Sequence, residues 1–228
     1  MTNGSPLYEK LLAQLKDNAE EGYASFHKRL LKNEEINVLG VRVPVLRKIA
    51  KGYINCISEL LDLPDEYYEV TFVKLQAAAL LPYKQFIHCV DKCVSVIDNW
   101  ATCDCFVPKC VKENKQDFYK YICRYLATDR EYYQRFALTT LLHFYVEEEW
   151  LDEIYNCIAN RSDNNYYYVH MAAAWLLAEI LVRYYERGVG YLNRGEIHAR
   201  THNKAISKAC ESFRLTKEQK QYLITLKR

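Results

Sequence analysis

Apolar residues recur every three or four positions along most of the chain, which is the spacing of amphipathic α-helices. The first two predicted helices carry their apolar residues at Leu7, Leu11, Leu12, Leu15, Tyr23, Phe26, Leu30 and Leu31. The same pattern predicts helices over 46–57, 67–81 and 87–97, and others that begin near 100, 115, 128, 148, 163, 201 and 216. Apart from a short segment at 38–43, no run alternates as a strand would. The pattern therefore predicts an all-α protein.

Breaks and caps divide this helical pattern. Gly40 permits a turn in the segment 37–44, and Pro44 suits the first turn of the next helix because its missing N–H needs no partner there. Asn99 can cap a helix that begins at Trp100. Thr128-Asp129 is a good N-cap for a later helix, and further helices are predicted to start at Asp163-Asn164, Thr201 and Thr216. The connections are short, so successive helices should pack as pairs.

Two tryptophans and an arginine are spaced at the period of stacked helical pairs. Trp100 and Arg135 are 35 positions apart, and Arg135 and Trp175 are 40 apart. Helical-pair repeats span roughly 33 to 47 residues, and positions one period apart occupy equivalent places in neighbouring repeats. The spacing favours a right-handed α-solenoid of HEAT-like helical pairs with a concave groove, forming one domain over 1–228. A globular helical bundle is the alternative.

Charge is uneven along the chain despite a net charge of only +2. Positions 183–228 contain 11 Lys and Arg against 4 Asp and Glu, a balance of +7. Lys204, Lys208 and Arg214 lie in this basic segment, after a predicted helix start at Thr201. A helix N-terminus with nearby cations is a plausible phosphate contact. A solvated basic face is the alternative.

The cysteine count and the hydropathy argue against a disulfide-bonded secreted protein and against a membrane protein. Nine cysteines cannot all pair within one chain. The N-terminal segment lacks the apolar stretch of a signal peptide, and the apolar run at 171–182 is interrupted by Glu179 and too short to span a bilayer. We expect a cytoplasmic monomer with free thiols and no cofactor. Zinc ligation by His88, Cys103, Cys105 and Cys110 is a weak alternative, because these residues lack a zinc-knuckle spacing.

Four residues have side chains suited to a charged, planar ligand. Trp100 and Asp104 are four positions apart, so they share one helix face. Arg135 sits in an apolar stripe and needs a partner if buried, for which Asp104 is the obvious choice. Trp175 follows three alanines, which would allow a close backbone approach or leave a groove floor. Core packing and a structural ion pair are the competing interpretations.

At these motifs the chain resembles the AlkD-like family of DNA alkylation repair proteins. The resemblance runs through the segments 39–48, 98–104, 135–137, 167–175 and 203–206. It implies HEAT-like repeats with a basic groove that holds duplex DNA. It also implies excision of positively charged alkylated purines such as 3-methyladenine and 7-methylguanine. Trp100 and Trp175 would pack against the deoxyribose, Asp104 would be the catalytic carboxylate, and Arg135 would hold the DNA backbone.

Three positions depart from the pattern of the active family members. Ala178 stands where those members carry an Arg, three residues after the second Trp. Asn99 and Gln134 stand where they tend to carry bulkier or basic residues. Fewer cations would weaken phosphate binding. The alternative is therefore a family member without catalytic activity that binds DNA or serves as a protein scaffold.

Overall fold

A computed structural model describes residues 5–31, 35–160 and 165–228. Within these ranges the protein is all-α and contains no strand. The fourteen α-helices of this part of the chain are α1 Pro6–Lys16, α2 Glu21–Leu31, α3 Val43–Lys51, α4 Ile57–Asp62, α5 Tyr68–Ala78, α6 Tyr83–Ser95, α7 Trp100–Cys105, α8 Lys115–Leu126, α9 Glu131–Phe144, α10 Leu151–Ala159, α11 Tyr167–Arg183, α12 Tyr185–Asn193, α13 Ala199–Glu211 and α14 Lys217–Thr225. The all-α prediction is confirmed, and the architecture is consistent with an α-solenoid.

The chain divides into two compact units, Met1–Asn114 and Lys115–Arg228. The assignment of one domain to the whole chain stays a prediction.

In the first unit, α3 packs against α5, and α5 packs against α7. Near the start of α5, the Glu69 carboxylate binds the segment just before α3. Near the end of α5, Gln76 Nε2 donates to the carbonyl of Cys105, the last residue of α7 (2.7 Å). These contacts show that α3, α5 and α7 run side by side in the same direction.

The second unit repeats this arrangement with α9, α11 and α13. Arg135 in α9 donates to the Tyr168 carbonyl at the start of α11. His170 in α11 is 2.7 Å from the hydroxyl of Thr201 at the start of α13. Since both contacts join helix beginnings, these three helices are also parallel neighbours.

The segment before α3 is held by one buried carboxylate. Glu69 accepts backbone N–H groups from Leu39 (3.0 Å), Gly40 (2.7 Å) and Val41 (3.3 Å). Gly40 has a φ of +93°, a conformation that side chains rarely allow. A Cβ atom there would lie 2.3 Å from the Glu20 carbonyl oxygen. The turn predicted at Gly40 therefore exists, and its shape depends on the conformation of Gly40 and on the hydrogen bonds to Glu69.

Several predicted boundaries are confirmed. Asn99 and Thr216 cap α7 and α14 with side-chain hydrogen bonds. Pro44 lies in the first turn of α3. The helix start predicted at Asp163-Asn164 lies outside the described residues.

Other boundaries are wrong. The helix predicted over 46–57 ends at Lys51, and a 3₁₀ turn at Ile54–Cys56 separates it from α4. The segment Thr128-Asp129 does not cap α9, whose N-cap is Arg130. Phe26 and Leu30, expected on the apolar face of α2, are exposed, while His27 is buried. Leu31, expected on the same face, is buried, so the buried face of α2 includes His27 and Leu31 but not Phe26 and Leu30.

Burial of His27 makes the stability of the fold depend on pH. Its ring packs against those of Tyr23 (5.7 Å between centroids) and Tyr68 (4.5 Å). Burial lowers the pKa of His27, with Glu69 opposing the shift; burial also lowers the pKa of His202, which the Leu226 carbonyl opposes. The unfolded chain, with histidine pKa values near 6.5, takes up protons first as the pH falls.

We therefore expect the free energy of unfolding to decrease as the pH drops through about 6.5, and to be unaffected by these histidines above about pH 7.5. Urea unfolding at pH 7.5 and 5.5 measures the difference. The variant His27→Phe keeps the aromatic contacts and should show a smaller decrease than the wild type. An equal decrease in both proteins would contradict this assignment for His27.

Candidate functional site

Trp100 is positioned in the first unit by the cap of α7. Asn99 Oδ1 accepts hydrogen bonds from the backbone N–H (2.9 Å) and the hydroxyl (3.0 Å) of Thr102, which makes Trp100 the first helical residue. The Trp100 indole is half-buried, packs against the apolar core of this unit, and directs Nε1 at the Leu30 carbonyl (3.4 Å). Part of the ring therefore remains accessible to a ligand.

Asp104 lies one turn after Trp100 and is also half-buried. The adjacent Cys105 interacts with Arg47, an exposed residue of α3. Burial raises the pKa of the Cys105 thiol, while the positive charge of the nearby Arg47 guanidinium lowers this pKa. Arg47 thus places a cation beside the end of α7. Sequence reasoning missed this residue as a candidate, because Arg47 and Asp104 are far apart in the chain.

Arg135 in the second unit is largely buried and has structural partners. Its Nη1 donates to the Tyr168 carbonyl (2.6 Å), and its guanidinium lies 5.7 Å from the centre of the Tyr168 ring. Glu131 accepts the Tyr168 backbone N–H (2.7 Å). Arg135 therefore helps to fix the start of α11 against α9. Its expected pairing with Asp104 and its contact with DNA stay predictions.

Trp175 is half-buried near the middle of α11 and meets His143 edge to face, with 6.2 Å between ring centres. His143 is exposed and lies near the end of α9. Arg135 is level with Tyr168, so the expectation that Arg135 and Trp175 occupy equivalent positions is wrong. Trp175 lies seven residues beyond Tyr168, or about 10 Å along the helix axis. The candidate residue that sequence reasoning missed here is His143.

Two arginines lie near the Trp175 face of α11, where both pair with Glu179. Glu179, one turn after Trp175, forms ion pairs with Arg183 of the same helix and with Arg214 (Nη2 to Oε1, 3.6 Å). Ala178, where active family members carry an Arg, is buried at 5% exposure. The departure at Ala178 thus removes a cation from α11, whereas Arg183 and Arg214 supply cations at its solvent face.

The basic helix α13 differs from the prediction at its start. It begins at Ala199 with His198 as the N-cap, and Thr201 is buried inside the first turn, where its hydroxyl bonds to His170. Thr201 is therefore not an anion-binding cap. Lys204 is exposed and Lys208 is half-buried, and both stay candidates for contact with DNA.

Asn99 and Gln134, the other two positions that differ from the active family members, have structural roles. Asn99 caps α7, and Gln134 is buried and donates from Nε2 to the Thr128 carbonyl (2.7 Å). The third tryptophan, Trp150, is buried at 6% exposure and packs against Tyr119 and Tyr145. Of the three indoles, only Trp100 and Trp175 are therefore open to a ligand.

All nine cysteines are free thiols. Among the residues that the structure describes, no three His, Cys, Asp or Glu side chains come together as a metal site. No described helix combines the length and apolarity needed to cross a membrane.

Comparison with known families identifies an all-helical DNA repair protein. The family model described as DNA alkylation repair enzyme matches residues 9–213. This span covers most of the 228 residues, so the chain belongs to the DNA alkylation repair enzyme family. The resemblance found in the sequence is confirmed at this level. No curated protein gives a significant match.

Proposed function

We propose that this protein is a DNA glycosylase that hydrolyses the N-glycosidic bond of positively charged alkylated purines, such as 3-methyladenine and 7-methylguanine, in duplex DNA. The partial burial of the candidate residues is the main support for this proposal. Trp100, Trp175 and Asp104 are each half-buried, so they are held by the fold yet remain partly accessible. Family membership supports the assignment of DNA repair.

The chemistry fits these side chains. A cationic base is already a good leaving group, so its departure needs no strong general acid. Positive charge then develops on the deoxyribose, where a fixed carboxylate and the electron-rich faces of two indoles would stabilise it. Asp104 would supply the carboxylate and could also orient the attacking water. Trp100 and Trp175 would supply the ring faces, and no step requires a metal or an organic cofactor.

The parallel helices within each unit support a HEAT-like arrangement of helical pairs as the scaffold. In the first unit these are α3, α5 and α7, and in the second α9, α11 and α13. Within each unit, equivalent residues on such helices lie on one face. On this proposal, Lys204, Lys208 and Arg214 contact DNA phosphates, and Arg135 supports the backbone near the lesion.

One observation favours a second candidate, a family member that binds DNA without cleaving the glycosidic bond. Ala178 is buried, so α11 offers no cation at the position where active members have one. Asn99 and Gln134, the other two positions that depart from the active members, form hydrogen bonds within the protein. A catalytic site short of a cation would hold the phosphate near the lesion less firmly.

The experiment that separates these candidates combines binding and release. Duplex DNA treated with a methylating agent is incubated with excess protein, and free bases are quantified by mass spectrometry. A glycosylase releases 3-methyladenine and 7-methylguanine faster than they are lost spontaneously. DNA binding with only the spontaneous rate would establish the non-catalytic candidate. Absence of DNA binding at low salt would leave a protein scaffold.

A further inference from the structure

Helix α3 in the first unit carries an unbalanced set of cations. Arg47, Lys48 and Lys51 are exposed, and the nine residues of α3 include no acidic side chain. At about 100° per residue, Lys51 lies about 40° and Lys48 about 100° around the helix from Arg47. The three side chains therefore form one basic strip on the solvent side of α3.

These cations lack the acidic partners that several other surface cations of the protein have. Ion pairs join Arg42 to Glu20 (2.8 Å) and Arg187 to Asp152 (2.9 Å), for example, and Lys92 pairs with Asp62. Within the described ranges, no ion pair involves Arg47, Lys48 or Lys51. Like charges four residues apart, as in Arg47 and Lys51, destabilise a helix. Such a strip is unfavourable in isolation and becomes favourable when an anion binds it.

One edge of the strip adjoins the candidate site. Helices α3 and α7 both pack against α5, and Cys105, which follows Asp104 directly, packs against the apolar core that includes Leu46 and Ala50 of α3. The nearby Arg47 guanidinium opposes the rise that burial causes in the pKa of the Cys105 thiol. Both helices belong to the first unit, so this contact lies within one compact body. A ligand held beside Trp100 and Asp104 would therefore have the Arg47 cation next to it.

On its other side, the strip borders a groove between α1 and α3. Lys48 lines this groove together with Lys10 of α1, and its volume is about 500 Å³. Val45 and Ile49 add apolar side chains to its lining, and Gln14 adds a polar one. Lys10 is exposed and, like Lys48, has no ion pair among the described residues. Two cations and apolar side chains in one groove suit the phosphates and the sugar of a nucleic-acid backbone.

From these observations we infer a second phosphate-binding surface, formed by Arg47, Lys48 and Lys51 of α3 with Lys10 of α1. Its ligand is the phosphodiester backbone of duplex DNA as it leaves the Trp100–Asp104 site. The inference rests on the proposed function, since it takes duplex DNA as the ligand. It adds an anchoring surface in the first unit to the cations proposed in the second.

The test compares two variants that lose the same charge. The strip variant is Arg47→Ala/Lys48→Ala/Lys51→Ala. The control variant is Lys84→Ala/Lys109→Ala/Lys112→Ala, which removes three exposed lysines from outside the strip in the same unit. Fluorescence anisotropy with a labelled, unmodified 20-base-pair duplex gives the dissociation constant between 50 and 300 mM salt. Thermal melting followed by circular dichroism establishes that both variants are folded.

We expect the strip variant to lower the slope of log affinity against log salt by about 2 to 3, because each lost phosphate contact removes about 0.9. At 0.1 M salt its affinity should fall roughly 100- to 500-fold. The control variant should keep the wild-type slope. The single substitution Lys48→Gln, which alters no core contact, should lower the slope by about 0.9 and serves if the triple variant does not fold.

Each other outcome overturns the inference. Equal slopes for the strip and control variants, with wild-type protein binding DNA, would remove the α3 surface and leave the proposed function intact. Equal losses in both variants would mean that only overall charge matters. If the wild type does not bind duplex DNA at low salt, this inference and the proposed function fail together.

Discussion

Asp104→Asn is expected to slow the release of 7-methylguanine by about 100-fold or more at saturating protein, a loss typical of removing one electrostatic group from a preorganised site. The substitution preserves size and shape but removes the negative charge. On the proposed mechanism that charge stabilises the sugar as it becomes cationic. Binding of unmodified duplex should change little, because Asp104 repels rather than attracts phosphate.

Single-turnover release from a duplex with one lesion measures this effect, and Asp17→Asn is the matched control. Asp17 is an exposed residue of the same unit, at the end of α1. The control should release the base at the wild-type rate. If Asp104→Asn also keeps that rate while wild-type release is well above the spontaneous rate, Asp104 is not the catalytic carboxylate.

Gly40→Ala is expected to be the most destabilising small substitution in the first unit. The added Cβ would meet the Glu20 carbonyl oxygen at 2.3 Å and the Ala24 backbone nitrogen at 2.7 Å. Both are backbone atoms, which cannot rotate away. The φ of +93° adds strain that glycine avoids. Together these effects should reduce the free energy of unfolding by about 2–6 kcal/mol.

Urea unfolding of Gly40→Ala beside Gly22→Ala tests this expectation. Gly22 lies in α2 between the two residues that the Gly40 Cβ would strike, and a Cβ at Gly22 has nothing within 4 Å. Gly22→Ala should leave stability unchanged or raise it by up to about 1 kcal/mol through helix propensity. A Gly40→Ala protein as stable as the wild type would show that the segment before α3 can shift without cost.

Local features of the fold could be predicted from sequence because their causes are local. Apolar periodicity located most helices, and the caps at Asn99 and Thr216 depend on side chains that bond within one turn. The turn at Gly40 follows from the steric freedom of glycine. Glu69 could not be predicted as its partner, because that contact joins residues about 30 positions apart.

The features that sequence reasoning missed depend on tertiary packing. Arg47 meets Cys105, and His143 meets Trp175, only because parallel helices lie side by side. Residue intervals suggest that Arg135 and Trp175 are equivalent, but the hydrogen bond from Arg135 to the Tyr168 carbonyl places Tyr168 level with Arg135. Exposure of Phe26 shows that an apolar residue at a helical spacing need not face the core.

On the proposed mechanism, the charge of the leaving base, rather than a protein acid, makes the glycosidic bond labile, and the protein stabilises the sugar cation. The most direct measurement is the single-turnover release of bases from two duplexes of one sequence, containing 7-methylguanine or the uncharged 8-oxoguanine. We expect release of 7-methylguanine well above its spontaneous rate and no detectable release of 8-oxoguanine. Equal release of both bases, or release of neither, would contradict it.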